Sequence, residues 1–394
     1  MAKDYYEFFC PVKIIAGFKA LEHIPFELSS HGSSNPLILT DKGVKGAGLV
    51  DTVLKALDAA DQKIAGIFDD VPPDSSTAVV TSAAQYYRDQ KADSIIAIGG
   101  GSVIDTAKAV NILVSEGGDD VKKYSGSGIL KRRLKPFFVI PTTAGTGSEA
   151  TLVSVIKDDA TGKKMPFISH FLLPDAAILD PRLTISLPPK ITAATAMDAL
   201  THAVESFICL AKNPVSDAYA AAAIKKITAN LLNVLKDSSN KDGRLELAQA
   251  ATMAGIAFSN SMVGLVHALG HNVGAVSHVP HGVCMSILLP HVLAFNLKER
   301  EAEIGDLLLP LAGPEIYAST PSAQRAQRSI DFIRDLKEHV YAAAELPRTL
   351  EETGSVKRGD LPKIAQMSLD DGAMLLNPID ATYEQALDVL QQAF

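Results

Sequence analysis

From residue 36 to about residue 180 the chain alternates short unbroken apolar runs with stretches whose apolar residues recur every three or four positions. The runs are PLILT, IAGIF, SIIAIG, FFVIP and AAILDP, and the periodic stretches cover 49–60, 77–90 and 102–115. An unbroken apolar run has no polar face to turn to water, so the strand it predicts is covered on both sides, and the amphipathic helices between the runs supply the covers. This is the pattern of a doubly wound parallel sheet, an α/β half. Beyond AAILDP the runs nearly vanish, and helical periodicity takes over at 191–211, 215–236, 244–259, 322–345 and 383–393. The second half therefore reads as all-α. The change falls at SLPPK, where Pro188 and Pro189 interrupt any helix. The expected division is an α/β domain over 1–185 and a helical domain over 186–394.

Composition agrees with two cores. A chain of 394 residues exceeds the roughly 250–300 residues at which one core stops growing. With 47% hydrophobic and 21% charged residues it is a globular chain rather than a disordered one. A net charge of −8, with no basic run longer than the KRR at 131–133, argues against nucleic acid as a partner. No charge-free stretch approaches the ~18 residues of a membrane span, and MAKDYYEFF lacks the apolar core of a signal peptide. Cys10, Cys209 and Cys284 are odd in number and widely spaced, which fits neither a disulfide framework nor a zinc finger. The expected compartment is the cytoplasm.

Two loops carry glycines and hydroxyls where a strand gives way. SIIAIGGGSVIDTAK sets Gly99, Gly100, Gly101 and Ser102 between an apolar strand and a helix. Absent side chains let a ligand reach the backbone, and free N–H groups at a helix start favour an anion, so a pyrophosphate suits the place. The spacing is not G-x-G-x-x-G, because Ile104 takes the position of the last glycine, and a tight strand-to-helix turn needs such glycines as well. PTTAGTGSE follows FFVIP with Thr142, Thr143, Gly145, Thr146, Gly147 and Ser148. Hydroxyls and glycines at the C-terminal end of a strand suit ligand binding in such a sheet, and two of these loops on neighbouring strands fit one extended ligand. Asp41, in LILTDKG, is placed either to accept from a ribose 2′-hydroxyl or to serve as a solvated turn residue.

In the helical half, AMDALTHAVES spaces Asp198 and His202 four residues apart, on one helix face, and His267 and His271 repeat that spacing. His281 follows Pro280, where a turn aims it back at the preceding helix. One carboxylate with several imidazoles suits Fe²⁺ or Zn²⁺ rather than Mg²⁺ or Ca²⁺, and the lack of a nearby cysteine favours a catalytic over a structural site. Taken singly, a histidine on an apolar helix is a satisfied core residue; five candidates in two clusters outweigh that reading. His278 has no helical partner, and it is set aside with His23, His31, His170, His291 and His339.

The words GGGSVIDTAK, PTTAGTGSE, AMDALTHAVES and GLVHALGHNVGAVSHVPHGV followed by ILLPHV, in this order, resemble the iron-containing (group III) alcohol dehydrogenase family along essentially the whole chain. The resemblance implies an N-terminal dinucleotide-binding domain and a C-terminal helical metal-binding domain. It implies metal ligands at Asp198, His202, His267 and His281, with His271 lining the substrate and nicotinamide pocket. It implies NAD contacts at Asp41, Gly99 to Ser102, Asp105, Thr142, Thr143 and Lys164, with Fe²⁺ as the metal and Zn²⁺ as an alternative. The implied activity is reversible hydride transfer from a primary alcohol or diol to NAD⁺, with His271 as proton relay, in a homodimer or a larger assembly of dimers. The rival readings are a hydroxyacid–oxoacid transhydrogenase or other hydroxyacid dehydrogenase, another enzyme of this fold such as a dehydroquinate synthase or glycerol dehydrogenase, and a non-catalytic nucleotide-binding or filament-forming protein. Two departures stand out: VPPDSS, with Asp74 and Ser75, replaces the family's frequent Asn-Pro, and Gly270 stands where alanine is frequent.

Overall fold

The computed structural model describes residues 5–394, so the first four residues of MAKDYYEFF lie outside the described residues. The chain forms two compact units, Phe9–Ser186 and Leu187–Phe394, the latter taking in residues 5–8 as well. Phe8 goes with the helical unit because its ring stacks on Tyr219, centroids 5.7 Å apart.

The first unit has nine strands, β1 (Lys13–Ala16), β2 (Pro36–Leu39), β3 (Gly66–Phe68), β4 (Ser94–Gly99), β5 (Gly126–Ser127), β6 (Phe137–Pro141), β7 (Val153–Lys157), β8 (Lys164–Ile168) and β9 (Ala176–Leu179). Six of them make an all-parallel sheet in the order β1-β9-β6-β4-β2-β3. Side chains alternate between its faces. Leu37, Leu39, Ile95, Ala97, Phe137 and Val139 pack under the helices Thr77–Asp89 and Gly101–Glu116, while Ile38, Ile96, Ile98, Phe138 and Ile140 pack under Ile24–Ser30 and Leu49–Asp58. Burying each such side chain is worth roughly 1.5–3 kcal/mol, so a polar residue in these strands has nowhere to go. That is why the runs are unbroken.

Four strands escaped the pattern, for physical reasons. β1 is an edge strand, three of its four residues exposed, and KIIA makes too short a run. β5, β8 and β7 form a separate three-stranded sheet, and β7, half exposed, alternates over only five residues.

In the second unit Pro188 and Pro189 cap and open the helix Pro189–Ile208, as proline suits a first helical position. The helices Pro214–Lys236, Lys241–Ser259, Leu265–Ser277, His281–Asp306 and Ser322–Ala344 follow. His281–Asp306 is the one whose length the sequence pattern hid, because Pro290 lies inside it and Arg300 (φ −133°) kinks it. Arg244, buried, ties the start of the unit: its guanidinium donates to the Leu187 carbonyl (3.0 Å) and the Thr192 hydroxyl (2.7 Å).

The helix Leu265–Ser277 begins without a side-chain cap of its own. Asn377, over a hundred residues on, supplies one: its Oδ1 accepts from the Leu265 N–H (3.1 Å) and from Asn296 Nδ2 (3.0 Å), while its Nδ2 donates to Asn296 Oδ1 (3.0 Å). Gly264 makes this approach possible, since a Cβ there would stand 2.8 Å from Asn377 Oδ1. Asn377→Ala leaves an N–H and a primary amide buried and unpaired, so the expected loss is roughly 2–4 kcal/mol in the unfolding of the helical unit. Urea denaturation followed by circular dichroism measures it, and a loss below about 0.5 kcal/mol would show that water replaces the amide at no cost.

Candidate metal centre

Three helices meet at one point in the helical unit. Pro189–Ile208 presents Asp198 and His202 one turn apart, Leu265–Ser277 brings His267 in its first turn, and His281–Asp306 begins with His281, turned inward after the cap residue Pro280. Each of the four offers a donor atom, and these atoms lie within 4.8 Å of one another, the one group of this kind among the described residues. His281 Nε2 stands 3.2 Å and His202 Nδ1 3.8 Å from Asp198 Oδ1. The His202 ring stacks on Phe258 (4.3 Å between centroids) and lies 4.5 Å from the His267 ring.

Asp198 Oδ1, His202 Nδ1 and His267 Nε2 are buried and have no hydrogen-bond partner. Buried polar atoms are normally paired, and each orphan costs about 1–3 kcal/mol. Three orphans converging on one point fit a divalent cation that accepts from each of them. The donor set, one carboxylate and three imidazoles, suits Fe²⁺ or Zn²⁺. Thiols take no part: Cys209 donates to the Ser261 carbonyl (2.9 Å), and Cys284 to that of Val279 (3.7 Å).

Protonation favours metal binding as well. Burial raises the pKa of Asp198, but the surrounding His202, His281 and His267 outweigh it and hold the carboxyl below its usual range. Burial pushes His202 down to about 3, and burial together with repulsion from His281 and His271 takes His267 well below its usual value. At neutral pH the centre therefore presents the Asp198 carboxylate with the neutral imidazoles of His202 and His267, the form that ligates.

Sequence reasoning passed over two residues here. Glu205 lies on the Asp198 and His202 face of its helix; one oxygen accepts from the Val266 N–H (2.7 Å) and the other is 2.5 Å from His267 Nδ1, so the free nitrogen of that ring is Nε2. Its spacing, three residues after His202, was the available signal. Burial raises its carboxyl to about 7. Asp371 gave no such signal, lying a hundred residues from its partner: its Oδ2 is 3.1 Å from His271 Nδ1. His271 and His281 form the open side of the centre, their side chains 40% and 39% exposed against 3% for Asp198 and His267. His278 caps its helix in the left-handed conformation (φ 56°), exposed and outside the cluster.

The cofactor candidates lie in the other unit. Gly99 ends β4, Gly100 is the cap of Gly101–Glu116, and no side chain caps that helix. The second loop adjoins the first: the Thr142 N–H donates to the Gly99 carbonyl (3.1 Å), and a Cβ on Gly100 would stand 3.2 Å from Thr143 Oγ1. Ser102 donates to the Pro73 carbonyl. Asp105 accepts from the Val155 N–H (3.0 Å), and burial raises its carboxyl to about 6. Asp41 ends the segment after β2 and accepts from the Val44 N–H (2.8 Å). Lys164 pairs with Asp74 at 3.4 Å, both exposed, and Ser75, buried, accepts from Thr106.

Residues 11–181 match the family model described as iron-containing alcohol dehydrogenase, and residues 192–394 that of the Fe-containing alcohol dehydrogenase family, C-terminal. The chain is 34% identical to alcohol dehydrogenase 4 of Saccharomyces cerevisiae (strain ATCC 204508 / S288c), covering 98% of each. It is 34% identical to the NAD-dependent methanol dehydrogenase of Bacillus methanolicus, covering 98% of this chain and 99% of that one. Among solved structures it is similar to a 1,3-propanediol oxidoreductase, with a TM-score of 0.94 and 34% identity over 99% of this chain and 100% of that one.

The geometry separates two neighbouring histidines. His267→Ala is expected to abolish metal retention, and His271→Ala, whose ring is held by Asp371 instead, to keep it. Glu205→Gln, which leaves the ring an acceptor-poor neighbour, is expected to weaken metal affinity about 10–100-fold. Elemental analysis of the three purified variants decides; equal loss from His267→Ala and His271→Ala would overturn the distinction.

Proposed function

The chain belongs to the iron-containing alcohol dehydrogenase family and is an NAD-dependent, metal-dependent oxidoreductase; we propose that it moves hydride reversibly between a primary alcohol or diol and NAD⁺, giving the aldehyde and NADH. The observation that carries this reading is the convergence of Asp198, His202, His267 and His281 within 4.8 Å, the first three with orphaned donor atoms. We assign these four as the ligands of an iron-type divalent ion. Such an ion, when bound, supplies Lewis acidity that acidifies an alcohol hydroxyl or polarises a carbonyl, and NAD⁺ supplies the hydride acceptor.

The chain's own residues do the rest. Asp198 and the rings of His202, His267 and His281 hold the ion, and Glu205 fixes the tautomer of His267. His271 keeps Nδ1 toward Asp371, leaving Nε2, on the open side, to take the hydroxyl proton and return it in the reverse direction. In the α/β unit, Gly99, Gly100, Gly101 and Ser102 receive the pyrophosphate at an uncapped helix start, and Thr142, Thr143, Asp105 and Lys164 extend the dinucleotide site. The Phe9–Ser186 and Leu187–Phe394 units then divide the labour between cofactor and metal.

No helix among the described residues is long and apolar enough to cross a membrane. The three cysteines are unpaired, which supports a reducing, cytoplasmic setting, and a homodimer or assembly of dimers is the proposed state. A panel of primary alcohols, diols and hydroxyacids against NAD⁺, with metal analysis of protein purified without air, tests the reading. Turnover of alcohols with bound iron or zinc is the expected result. Turnover confined to a hydroxyacid and oxoacid pair without added NAD⁺ would replace it with transhydrogenation.

Cofactor choice follows from charge. β2 neighbours the glycine-loop strand β4, which supports reading Asp41 as the ribose acid of a dinucleotide fold. Lys42 and Lys45, the nearby cations that would welcome a 2′-phosphate, are engaged by Asp70 (2.6 Å) and Asp69 (2.5 Å). One unit-charge repulsion at 4 Å costs about 1 kcal/mol in water and up to ~4 kcal/mol near a protein surface. NAD⁺ is therefore expected to have the higher kcat/KM, and Asp41→Gly to narrow the ratio. Equal use of NADP⁺ by the unaltered enzyme would reduce Asp41 to a turn residue.

A further inference from the structure

Lys108 is fully buried, and nothing in the mechanism above uses it. Its ammonium donates to the Thr151 carbonyl (2.7 Å), the Thr151 hydroxyl (2.9 Å) and the Val153 carbonyl (2.8 Å). All three acceptors are neutral oxygens. Only an ammonium brings three donors to one point on an unbranched stem, and burying it is costly, so an apolar residue would serve a mere core better. Burial lowers its pKa to about 8, against the pull of Asp105 and Glu149, which leaves it charged at neutral pH.

What it holds is the exit of the second glycine loop. Thr151 follows the short turn Ser148–Ala150 that closes PTTAGTGSE, and Lys108 lies two turns along the helix that Gly101 opens. The same turn of helix binds the same segment again: the Asp105 carbonyl accepts from Ser154 Oγ (2.9 Å) and its carboxylate from the Val155 N–H. At its front the loop abuts the helix start, where a Cβ on Gly101 would stand 2.8 Å from Thr146 Cγ2. The loop is thus fixed between the glycines at one end and the ammonium at the other.

We propose that Lys108 is a positioning residue that sets the spacing of the two glycine loops, and through it the affinity for the dinucleotide, a role that rests on reading those loops as its binding site. It touches neither cofactor nor substrate. The test is NAD⁺ binding by isothermal titration to the full-length protein, with metal content and melting temperature measured on the same samples. Lys108→Met is expected to raise the Kd for NAD⁺ about tenfold, a 1.4 kcal/mol effect, while metal content in the helical unit stays at the level of the unaltered protein. Thr151→Val, which removes the hydroxyl that accepts from Lys108 together with its long contacts to the Ser148 and Val153 carbonyls, is expected to raise it about two- to threefold, each hydrogen bond to a charged group being one of three. A lowered melting temperature with an unchanged Kd in Lys108→Met would make the residue a core support and overturn the proposal. If Lys108→Met does not yield folded protein, Thr151→Val decides in the same two directions. Gly100→Val, run alongside, separates the two levels: an unchanged Kd there overturns the reading of the loops as the dinucleotide site, and the role of Lys108 with it.

Discussion

An ionised carboxylate, Asp198, is buried where water cannot reach it, and the helical unit is organised around that cost. Removing such a charge from water takes several kcal/mol even after relaxation. At neutral pH two of the imidazoles around it, those of His202 and His267, stay uncharged, because the same burial holds them neutral. What remains is a negative centre with three orphaned donor atoms, an arrangement that a chain selected only for stability would replace with leucines. The arrangement makes physical sense when a cation completes it.

Holding these four side chains on one point takes support from outside them. Glu205 fixes which nitrogen of His267 is free, and Asn377 and Asn296 fix where that helix begins. Gly270 shows the same economy of space: a Cβ there would lie 2.0 Å from Met285 Cε, so the glycine and the methionine are one packing choice.

The legible parts of the sequence are those in which one local rule coincides with the tertiary outcome. Central strands are unbroken because both faces are buried, and Asp198, His202 and His267 are readable because helical periodicity puts them on inward faces. β1 and the three-stranded sheet were not legible, since an exposed edge and a half-exposed pair impose no run. Pro290 hid the helix His281–Asp306, whose buried packing outweighs the proline. Asn377 and Asp371 were beyond reach for another reason: their partners lie about a hundred residues away, and no periodicity spans that distance. Lys108 sat in plain view inside GGGSVIDTAK, but only burial distinguishes it from a surface lysine.

The charge of the donor set bears on why these four residue types were used. A divalent ion on one carboxylate and three neutral imidazoles keeps a net positive charge, and that excess is what acidifies a hydroxyl in a dry site. A second carboxylate or thiolate ligand would cancel it and leave a structural ion with little pull on oxygen. The two buried thiols are kept out of the centre accordingly. Burial raises Cys209 to about 11 and Cys284 to about 12, and each sulfur is turned to a backbone carbonyl, so neither presents a thiolate at neutral pH. Glu205, one turn beyond His202, is kept out in a different way: its oxygens are taken by the Val266 N–H and the His267 ring, so a carboxylate close enough to weaken the ion is made to orient a ligand instead.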